Sequence, residues 1–304
     1  MLNHQKGLLI TFVGVLILTP DAMLMRLIDG NSFTLAFWRG VSVGIVFILL
    51  GFLQHYRDQK DRKQNHRDQK DRSFGAAIFK AGRAGLIMGL SFGLSSFCFV
   101  SALEHTTVAN LLVILALSPL FAGLMSRLLM KETMRLSTIL AMISCFAGIF
   151  VVFYDGLTSN SNGIGEIYAL AAAFLMALNL TLIRMKPEIN SLAINGIGLT
   201  FVGLLMIPLA PSLLMPMPQA GYLVILCALV LPLSFVLIIT GPKYISSAEV
   251  GLLMLIETAL GPYWVWLAVG EQPSNHAMLG GGIVLSTLIL HALWRLNARS
   301  KVQL

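Results

Sequence analysis

Ten apolar runs, each about as long as a bilayer is thick, constrain this sequence more than any other feature. A helix needs about 20 mostly apolar residues to cross the hydrocarbon core of a membrane. Polar or Gly/Pro-containing breaks separate the runs, which are continuous rather than alternating in polarity. We therefore predict an all-α polytopic membrane protein with ten transmembrane helices. We call the predicted segments spans 1 to 10, and in chain order they cover residues 7–27, 34–54, 83–103, 107–126, 137–154, 165–185, 192–212, 220–240, 246–268 and 276–294.

Composition and missing motifs exclude several other classes of protein. Hydrophobic residues make up 57% of the 304 residues and charged residues only 12%, against about a quarter charged in a soluble protein. The three cysteines, Cys98, Cys145 and Cys227, all lie inside apolar runs, which argues against a disulfide scaffold. The chain lacks the GxxxxGK[ST], HExxH and CxxC patterns. We predict that it is neither an enzyme nor by itself an ATP-driven pump, and that it holds no cofactor and no metal.

The distribution of positive charge predicts the orientation of the spans. Lysine and arginine fall mainly in the loops on one side and at both termini, and the charged loop at about 55–82 holds the largest group. By the positive-inside rule, we predict a multi-pass membrane protein with both termini in the cytoplasm. The net charge of +7 then reflects orientation and affinity for anionic membrane lipid, so we predict no nucleic-acid partner. The opposite loops carry no Lys or Arg and lie near Asp29, Glu104, Asp155, Pro216 and Glu271.

The charged loop contains an exact tandem duplication. The sequence RDQKDR occurs at Arg57–Arg62 and again at Arg67–Arg72. Its alternating charges are compatible with a short solvated helix or with disorder. A duplication without a transport role and a regulatory or lipid-binding segment both remain open.

The two halves of the chain resemble each other. When the sequence is shifted by 139 positions, Ser95 aligns with Ser234 and Ser118 aligns with Glu257 without a gap. Each half holds five spans, and because five is odd the second half enters the membrane from the opposite side. Such inverted repeats create a pseudo-twofold axis in the membrane plane and allow alternating access. We predict a first repeat at 1–155, a second at 163–296 and a cytoplasmic tail at 297–304.

Specific residues within these repeats resemble a known family. They are Phe37-Trp38-Arg39, the stretch from Ala109-Asn110 through Ser118-Pro119 to Lys131-Glu132, and its counterpart from Ala248-Glu249 through Glu257 to Gly270-Glu271. On these residues the chain resembles the drug/metabolite transporter superfamily, in its EamA-type ten-helix branch. The resemblance implies secondary transport, with export as the commonest assignment. The sequence departs from the family pattern at Thr19-Pro20-Asp21-Ala22, where a Trp-Gly pair is common, and at Thr258, where a proline is usual.

Charged residues at membrane depth are costly and therefore need a function or a partner. Asp21 follows Pro20, which lacks a backbone donor and is expected to distort span 1. We predict Asp21 as a substrate-binding or ion-coupling residue, or as a structural partner of Arg39 or Arg26. Arg39 is predicted either to bind a substrate carboxylate through its planar fork or to lock span 2 in place. The family carries this arginine across different substrates, which favours the structural role.

Glu257 lies near the middle of span 9 and is the stronger candidate for proton coupling, because intramembrane carboxyl groups act in proton relays. The alternative is a structural role, in which the protonated carboxyl group forms a hydrogen bond to a neighbouring helix. Glu249 lies two turns earlier, and Asn110 and Ser118 have the same spacing in span 4. A second distortion is expected at Gly261-Pro262, next to Tyr263. We predict that substrate-binding residues include Asp21, Arg39, Trp38, Asn110, Asn179, Glu257 and Tyr263, with interfacial or interhelical roles as the alternative for Trp38, Tyr263 and Asn179.

Other polar and small residues are expected to serve the structure. We predict that Arg26 reaches the outer surface and that Glu132 and Glu271 cap neighbouring helices. Glycines spaced four residues apart allow two helix backbones to approach closely. They occur at Gly40 and Gly44 in span 2 and at Gly85, Gly89 and Gly93 in span 3.

Together with the resemblance, these observations predict a secondary active transporter in a bacterial inner membrane. Its expected substrate is a small organic metabolite, for example an amino acid or a derivative. The expected mechanism is alternating access around a midplane cavity, with proton coupling and homodimerisation as further hypotheses. Two alternatives remain open. One is a flippase for a lipid or a lipid-linked sugar, and the other is a membrane scaffold that transports nothing.

Overall fold

The structure is a computed structural model that describes residues 2–28, 30–64, 73–130, 136–158, 163–215, 217–240, 244 and 247–300. Within these residues the chain forms ten helical spans, each on one predicted apolar run, and a short helix at Phe74–Lys80. The prediction of an all-α polytopic membrane protein is therefore confirmed. The ten spans are Leu2–Leu18 with Asp21–Ile28, Ser32–Gln64, Gly82–His105, Val108–Leu115 with Ser118–Met130, Leu136–Thr158, Ile164–Met185, Ser191–Leu205, Met217–Val224 with Ile225–Val230 and Leu231–Thr240, Ser247–Val269, and Asn275–Ser300.

Seven helical stretches among the described residues are long and apolar enough to cross a membrane. A shorter apolar helix, Ile143–Val152, lies in span 5. The remaining two spans, 9 and 10, coincide with helices of 23 and 26 residues. The seven stretches are His4–Ile28, Ser32–Arg57, Gly82–His105, Val108–Leu129, Ile164–Met185, Ser191–Leu209 and Met217–Thr240.

Two helix ends differ from the predicted ones by more than the others do. Span 7 ends at Leu205 and continues only as a 3₁₀ turn at Ile207–Leu209, short of the predicted residue 212. Pro208 and Pro211 explain this, since proline cannot continue an α-helix. Span 2 runs on to Gln64, so the first RDQKDR copy is helical. The second copy at Arg67–Arg72 lies outside the described residues.

The packing of the helices keeps the same pattern when the two halves are exchanged, with spans 1 to 5 replaced by spans 6 to 10 in order. Span 2 packs on span 7 and span 5 packs on span 10, so each of these pairs maps onto itself when the halves are exchanged. Span 3 packs on span 6, and the equivalent pair is span 8 on span 1. Span 4 packs on span 6, and its equivalent is span 9 on span 1. A pseudo-twofold axis in the membrane plane produces this pattern.

Glycines allow the closest contacts at both self-equivalent pairs. A Cβ atom on Gly44 would lie 2.8 Å from the Gly196 carbonyl oxygen, and one on Gly196 would lie 2.7 Å from the Gly44 oxygen. Gly148 and Gly280 are related in the same way, at 2.9 and 2.5 Å. Because the contacts are reciprocal, each pair sits where the two halves meet. The predicted packing role of the span 2 glycines is confirmed.

Span 3 uses its glycines in the same manner. A Cβ atom on Gly89 would lie 2.8 Å from the carbonyl oxygen of Ile194, and one on Gly93 would lie 2.6 Å from the oxygen of Gly198. Between these crossings the rings of Phe47, Phe92 and Phe235 from spans 2, 3 and 8 contact one another. This aromatic cluster forms part of the main hydrophobic core.

Prolines interrupt spans 1 and 4 in a common way. Pro20 and Pro119 lack the backbone N–H that would bond the carbonyl four residues earlier. The preceding hydroxyl side chain donates to that carbonyl instead, from Thr19 to Leu16 at 2.8 Å and from Ser118 to Leu115 at 2.7 Å. Neighbouring hydroxyl groups therefore satisfy the freed backbone acceptors, as membrane helices require. The predicted distortion of span 1 is confirmed.

The distortion predicted at Gly261-Pro262 does not interrupt span 9. The helix Ser247–Val269 passes through Pro262 without a break. A Cβ atom on Gly261 would collide with the Leu112 side chain of span 4. Spans 4 and 9 are therefore closely packed next to Pro262. Besides spans 1 and 4, span 8 departs from regular α geometry, with a π-helical stretch at Ile225–Val230 just before Pro232.

Candidate functional site

The break in span 1 positions Asp21 at the start of a new helix. Asp21 opens the segment Asp21–Ile28, where the positive end of the helix dipole favours a carboxylate. The side chain is buried, with 3% of its surface exposed. A negative charge at this depth still requires a cationic partner.

Arg39 of span 2 supplies that partner. Its Nη1 lies 2.5 Å from Asp21 Oδ1 and its Nη2 lies 2.8 Å from Oδ2, which makes the ion pair bidentate. Arg39 is also buried, and its guanidinium carbon lies 5.0 Å from the ring centre of Phe99. This cation–π contact adds to the attraction. Of the alternatives predicted for these residues, the pairing of Asp21 with Arg39 is present in the structure.

Glu257 of span 9 brings a second carboxyl group to the same region. Its charge interacts with those of Asp21 and Arg39, yet among the described residues Glu257 forms neither a hydrogen bond nor an ion pair. The side chain is only partly buried. The cluster therefore holds two acidic groups and one guanidinium, and the carboxyl group of Glu257 is the one without a direct partner.

Aromatic residues divide between two faces of span 9. Trp264 lies seven residues after Glu257, which is about 20° around the helix, whereas Tyr263 lies about 240° around it. The Trp264 indole donates to Thr19 Oγ1 at 3.1 Å and so contacts the break in span 1. Tyr263 is half-exposed, and its ring contacts those of Trp264 and Trp266. The geometry thus places Trp264, rather than Tyr263, beside the Asp21–Arg39–Glu257 cluster.

Two other predicted residues make contacts within the protein. The Trp38 indole donates to the Leu213 carbonyl at 3.0 Å. The Asn179 amide donates to the Met88 carbonyl at 2.8 Å and to Asn195 Oδ1 at 2.9 Å. These bonds match the interhelical alternative for Asn179. A substrate-binding role for either residue stays a prediction.

Asn110 lies in a separate polar cluster that contains a residue not predicted from the sequence. Its Nδ2 donates to Glu166 Oε1 at 3.1 Å, and Thr106 Oγ1 donates to the same oxygen at 2.5 Å. Glu166 is completely buried near the start of span 6. The signal that could have found it is an acidic residue at the second position of predicted span 6, which covers residues 165–185.

The helix ends near Glu104 are joined by a network of ionic and capping contacts. We call this end, which holds residues 30–31, 106–107 and 270–274, the Glu104 end. Glu104 accepts a hydrogen bond from the Ser32 backbone N–H at 2.9 Å and so caps span 2. Glu271 accepts from the Val108 N–H at 2.7 Å and caps span 4. The predicted capping role of Glu271 is confirmed, whereas Glu132 and the side chain of Glu249 lie outside the described part of the chain.

Arg26 does not extend to the surface as predicted. Its Nη1 and Nη2 donate to the carbonyls of Leu103 and Thr106, each at 2.6 Å, and its Nε lies 3.0 Å from Glu271 Oε2. The carbonyls at the end of span 3 have no helical partners, so they attract the guanidinium inward. Arg26 thus joins span 1, the end of span 3 and the residues that follow span 9.

We expect Arg26 and Glu271 to be energetically coupled by about 1 kcal/mol, because both are about three-quarters buried. A double-mutant cycle with Arg26→Gln and Glu271→Gln, measured as unfolding free energy in detergent, tests this. Glutamine at 271 retains an oxygen that can accept from Val108. The exposed pair Lys186–Glu188, 3.8 Å apart, is the control and should show little coupling. Equal coupling in both pairs would contradict the interpretation of Arg26 as a clamp.

Within the described residues, no group of three or more His, Cys, Asp or Glu side chains is arranged to hold a metal ion. The cysteines at 98, 145 and 227 are buried and free.

Comparison with known proteins gives consistent matches along the chain. The model of the EamA-like transporter family matches residues 5–154 and 163–293. An uncharacterized transporter of Synechocystis sp. is 26% identical over 220 residues, covering 66% of this chain and 62% of that protein. An uncharacterized transporter of Methanothermobacter thermautotrophicus is 25% identical over 215 residues, covering 67% and 62%. The chain thus matches less than two thirds of the length of these curated relatives.

A protein of known crystal structure shares the fold. It is 18% identical, and the superposition covers 95% of this chain and 98% of that one with a TM-score of 0.62.

Proposed function

Because the chain belongs to the EamA-like transporter family, we propose that this membrane transporter is a secondary active carrier of a small organic metabolite. The observation that carries the proposal is the cluster of Asp21, Arg39 and Glu257. Asp21 and Arg39 neutralise each other directly, and Glu257 adds a carboxyl group that forms no hydrogen bond or ion pair with the described residues. Ionisable groups held at membrane depth mark substrate or ion pathways.

The charge balance of this cluster indicates what it binds. With Glu257 ionised, the cluster carries one negative charge more than positive. Either a proton or the ammonium group of a substrate removes that excess. We therefore propose that Glu257 binds a proton and the ammonium group of the substrate in turn. The substrate would then be an amino acid or another small metabolite with an amine. Asp21 is paired with Arg39, and its main role in the cluster is to hold the guanidinium group in position.

The position of the cluster supports alternating access. Asp21 and Arg39 belong to the proposed first repeat, 1–155, whereas Glu257 and Trp264 belong to the second, 163–296. Motion of one repeat against the other would change the contact between Glu257 and the ion pair. The contacts of Arg26, Glu104 and Glu271 support a conformation closed at the Glu104 end, which we place on the extracytoplasmic side with both termini in the cytoplasm of a bacterial cell.

Proteoliposome transport tests this function. Uptake and efflux of a pooled metabolite library would be measured with and without a pH gradient, for wild type, Glu257→Gln and Asp21→Asn. We expect wild type to move an amine-containing compound in response to the gradient and Glu257→Gln to lose that response. Glu188→Gln, which changes an exposed glutamate, is the matched control and should behave as wild type.

Each other outcome changes the proposal. Gradient-driven transport that survives Glu257→Gln would exclude Glu257 as the coupling residue. Absence of flux for every soluble compound, together with movement of a labelled lipid or lipid-linked sugar, would replace the metabolite carrier by a flippase.

A further inference from the structure

The cluster at Glu166 contains two buried oxygen atoms without hydrogen-bond partners. Glu166 and Asn110 are 0% and 3% exposed. Glu166 Oε1 accepts from Thr106 Oγ1 and from Asn110 Nδ2, but Glu166 Oε2 and Asn110 Oδ1 accept from nothing in the described part of the chain. The third unpartnered buried atom, Arg26 Nε, lies 3.0 Å from the Glu271 carboxylate. The two unsatisfied acceptors therefore belong to two residues that already contact each other.

Two acceptors without a donor identify what the cluster lacks. Buried polar groups are normally paired, and an unpaired acceptor is costly in a low-dielectric interior. A carboxylate offers acceptors alone, whereas a carboxylic acid offers one O–H donor. A proton on Glu166 would supply the O–H donor that the cluster lacks, and the Asn110 side-chain oxygen is an acceptor without a donor among the described residues. The bond from Asn110 Nδ2 to Glu166 Oε1 at 3.1 Å already holds the two side chains together.

We propose that Glu166 is a proton-binding site, held as the carboxylic acid by Asn110 and Thr106 and separate from Glu257. The site joins the two halves of the protein, because Thr106 and Asn110 lie before and in span 4 and Glu166 lies in span 6.

The charged and titratable groups around the site are all at the Glu104 end. Arg26 comes from span 1 and is matched by Glu271, which follows span 9. Glu104 and His105 end span 3, where Glu104 caps span 2 and the His105 ring stacks on Tyr168 of span 6, 6.1 Å between centroids. Each of these groups has a partner of its own. The proton therefore remains the missing component of the Glu166–Asn110 pair.

This site has a consequence for the transport cycle, which rests on the proposed function. Loss of the proton leaves a buried carboxylate beside the unpaired oxygen of Asn110. The cost of burying this charge falls when water reaches the site and donates hydrogen bonds to it. Deprotonation of Glu166 is therefore coupled to opening of the Glu104 end, and proton binding to its closure. Proton binding itself requires no transport, so it can be tested independently.

Infrared spectroscopy of the purified full-length protein tests the site directly. Protonated carboxyl groups absorb separately from carboxylates, and the acid band would be recorded during a pH titration of wild type, Glu166→Gln, Glu257→Gln and Glu188→Gln. We expect Glu166→Gln to lose the intensity of one carboxylic acid at neutral pH. Glu188→Gln should leave the band unchanged, and Glu257→Gln should retain the component assigned to Glu166. An acid band at neutral pH that is identical in wild type and Glu166→Gln would overturn the proposal.

Thermal stability provides a second readout that does not depend on transport. Glutamine resembles the protonated acid, with an oxygen for Thr106 and an NH₂ group for Asn110 Oδ1. We expect Glu166→Gln to melt within about 2 °C of wild type at neutral pH, and Glu166→Ala to melt several degrees lower. A wild-type melting temperature raised by sodium at constant ionic strength, and not in Glu166→Gln, would instead identify a sodium site and overturn the proposal.

Discussion

Replacing Arg39 with glutamine is expected to lower the free energy of unfolding by about 3–5 kcal/mol, because it leaves Asp21 as a buried charge without a partner. Both side chains are more than nine-tenths buried and share two hydrogen bonds. The measurement is unfolding of the purified protein in detergent micelles, followed by tryptophan fluorescence. The same variant should lose transport, because it lacks the positive charge that balances one of the two carboxylates, Asp21 and Glu257.

The double variant Asp21→Asn with Arg39→Gln separates charge from packing. It removes both charges and should recover most of the stability that Arg39→Gln loses, without recovering transport. Arg127→Gln changes an exposed arginine and should alter stability by no more than about 0.5 kcal/mol. A double variant as unstable as Arg39→Gln alone would show that the ion pair is not the source of the loss.

Replacing Gly198 with alanine is expected to destabilise the protein by about 1–3 kcal/mol, the usual cost of overpacking. An added Cβ atom would collide with the carbonyl group of Gly89 on span 3. A backbone group cannot rotate away as a flexible side chain can, so spans 3 and 7 must separate. The same unfolding measurement in detergent gives the magnitude.

Gly123→Ala is the matched control for this prediction. Gly123 also lies within a helical span, and a Cβ atom there would meet nothing within 4 Å. Its substitution should be neutral or stabilising by up to about 1 kcal/mol, because alanine is the better helix former. If Gly198→Ala and Gly123→Ala have equal effects, close backbone contact between spans 3 and 7 is not what Gly198 provides.

Much of the fold was predictable because the membrane imposes simple rules on a sequence. A span must be apolar over its whole length, since the bilayer core offers no water to polar groups. The positions of ten spans, the inversion of the second half and the packing role of Gly40, Gly44, Gly89 and Gly93 followed from such local patterns. Pro20 also had its expected effect, because the missing N–H is a property of the residue itself.

The candidate site was less predictable because its partners come from different parts of the chain. Asp21 and Arg39 were selected for their charge and depth, but their bidentate pairing depends on how spans 1 and 2 approach each other. Glu166 was missed because an acidic residue near the start of a span is also typical of an exposed helix end. Its burial results from packing against Thr106 and Asn110 across the two halves.

The sequence alone therefore determined the class of protein, the number of spans and their inverted order, since each depends on the polarity of neighbouring residues. Only the tertiary structure decided which polar groups have partners. Arg26 turns inward to backbone carbonyls and span 9 continues through Pro262. Within the part of the chain that the structure describes, Glu257 has no direct partner beside the ion pair of Asp21 and Arg39. The physical reason is that the cost of burying a charge depends on atoms within a few ångströms, and those atoms belong to helices distant in sequence.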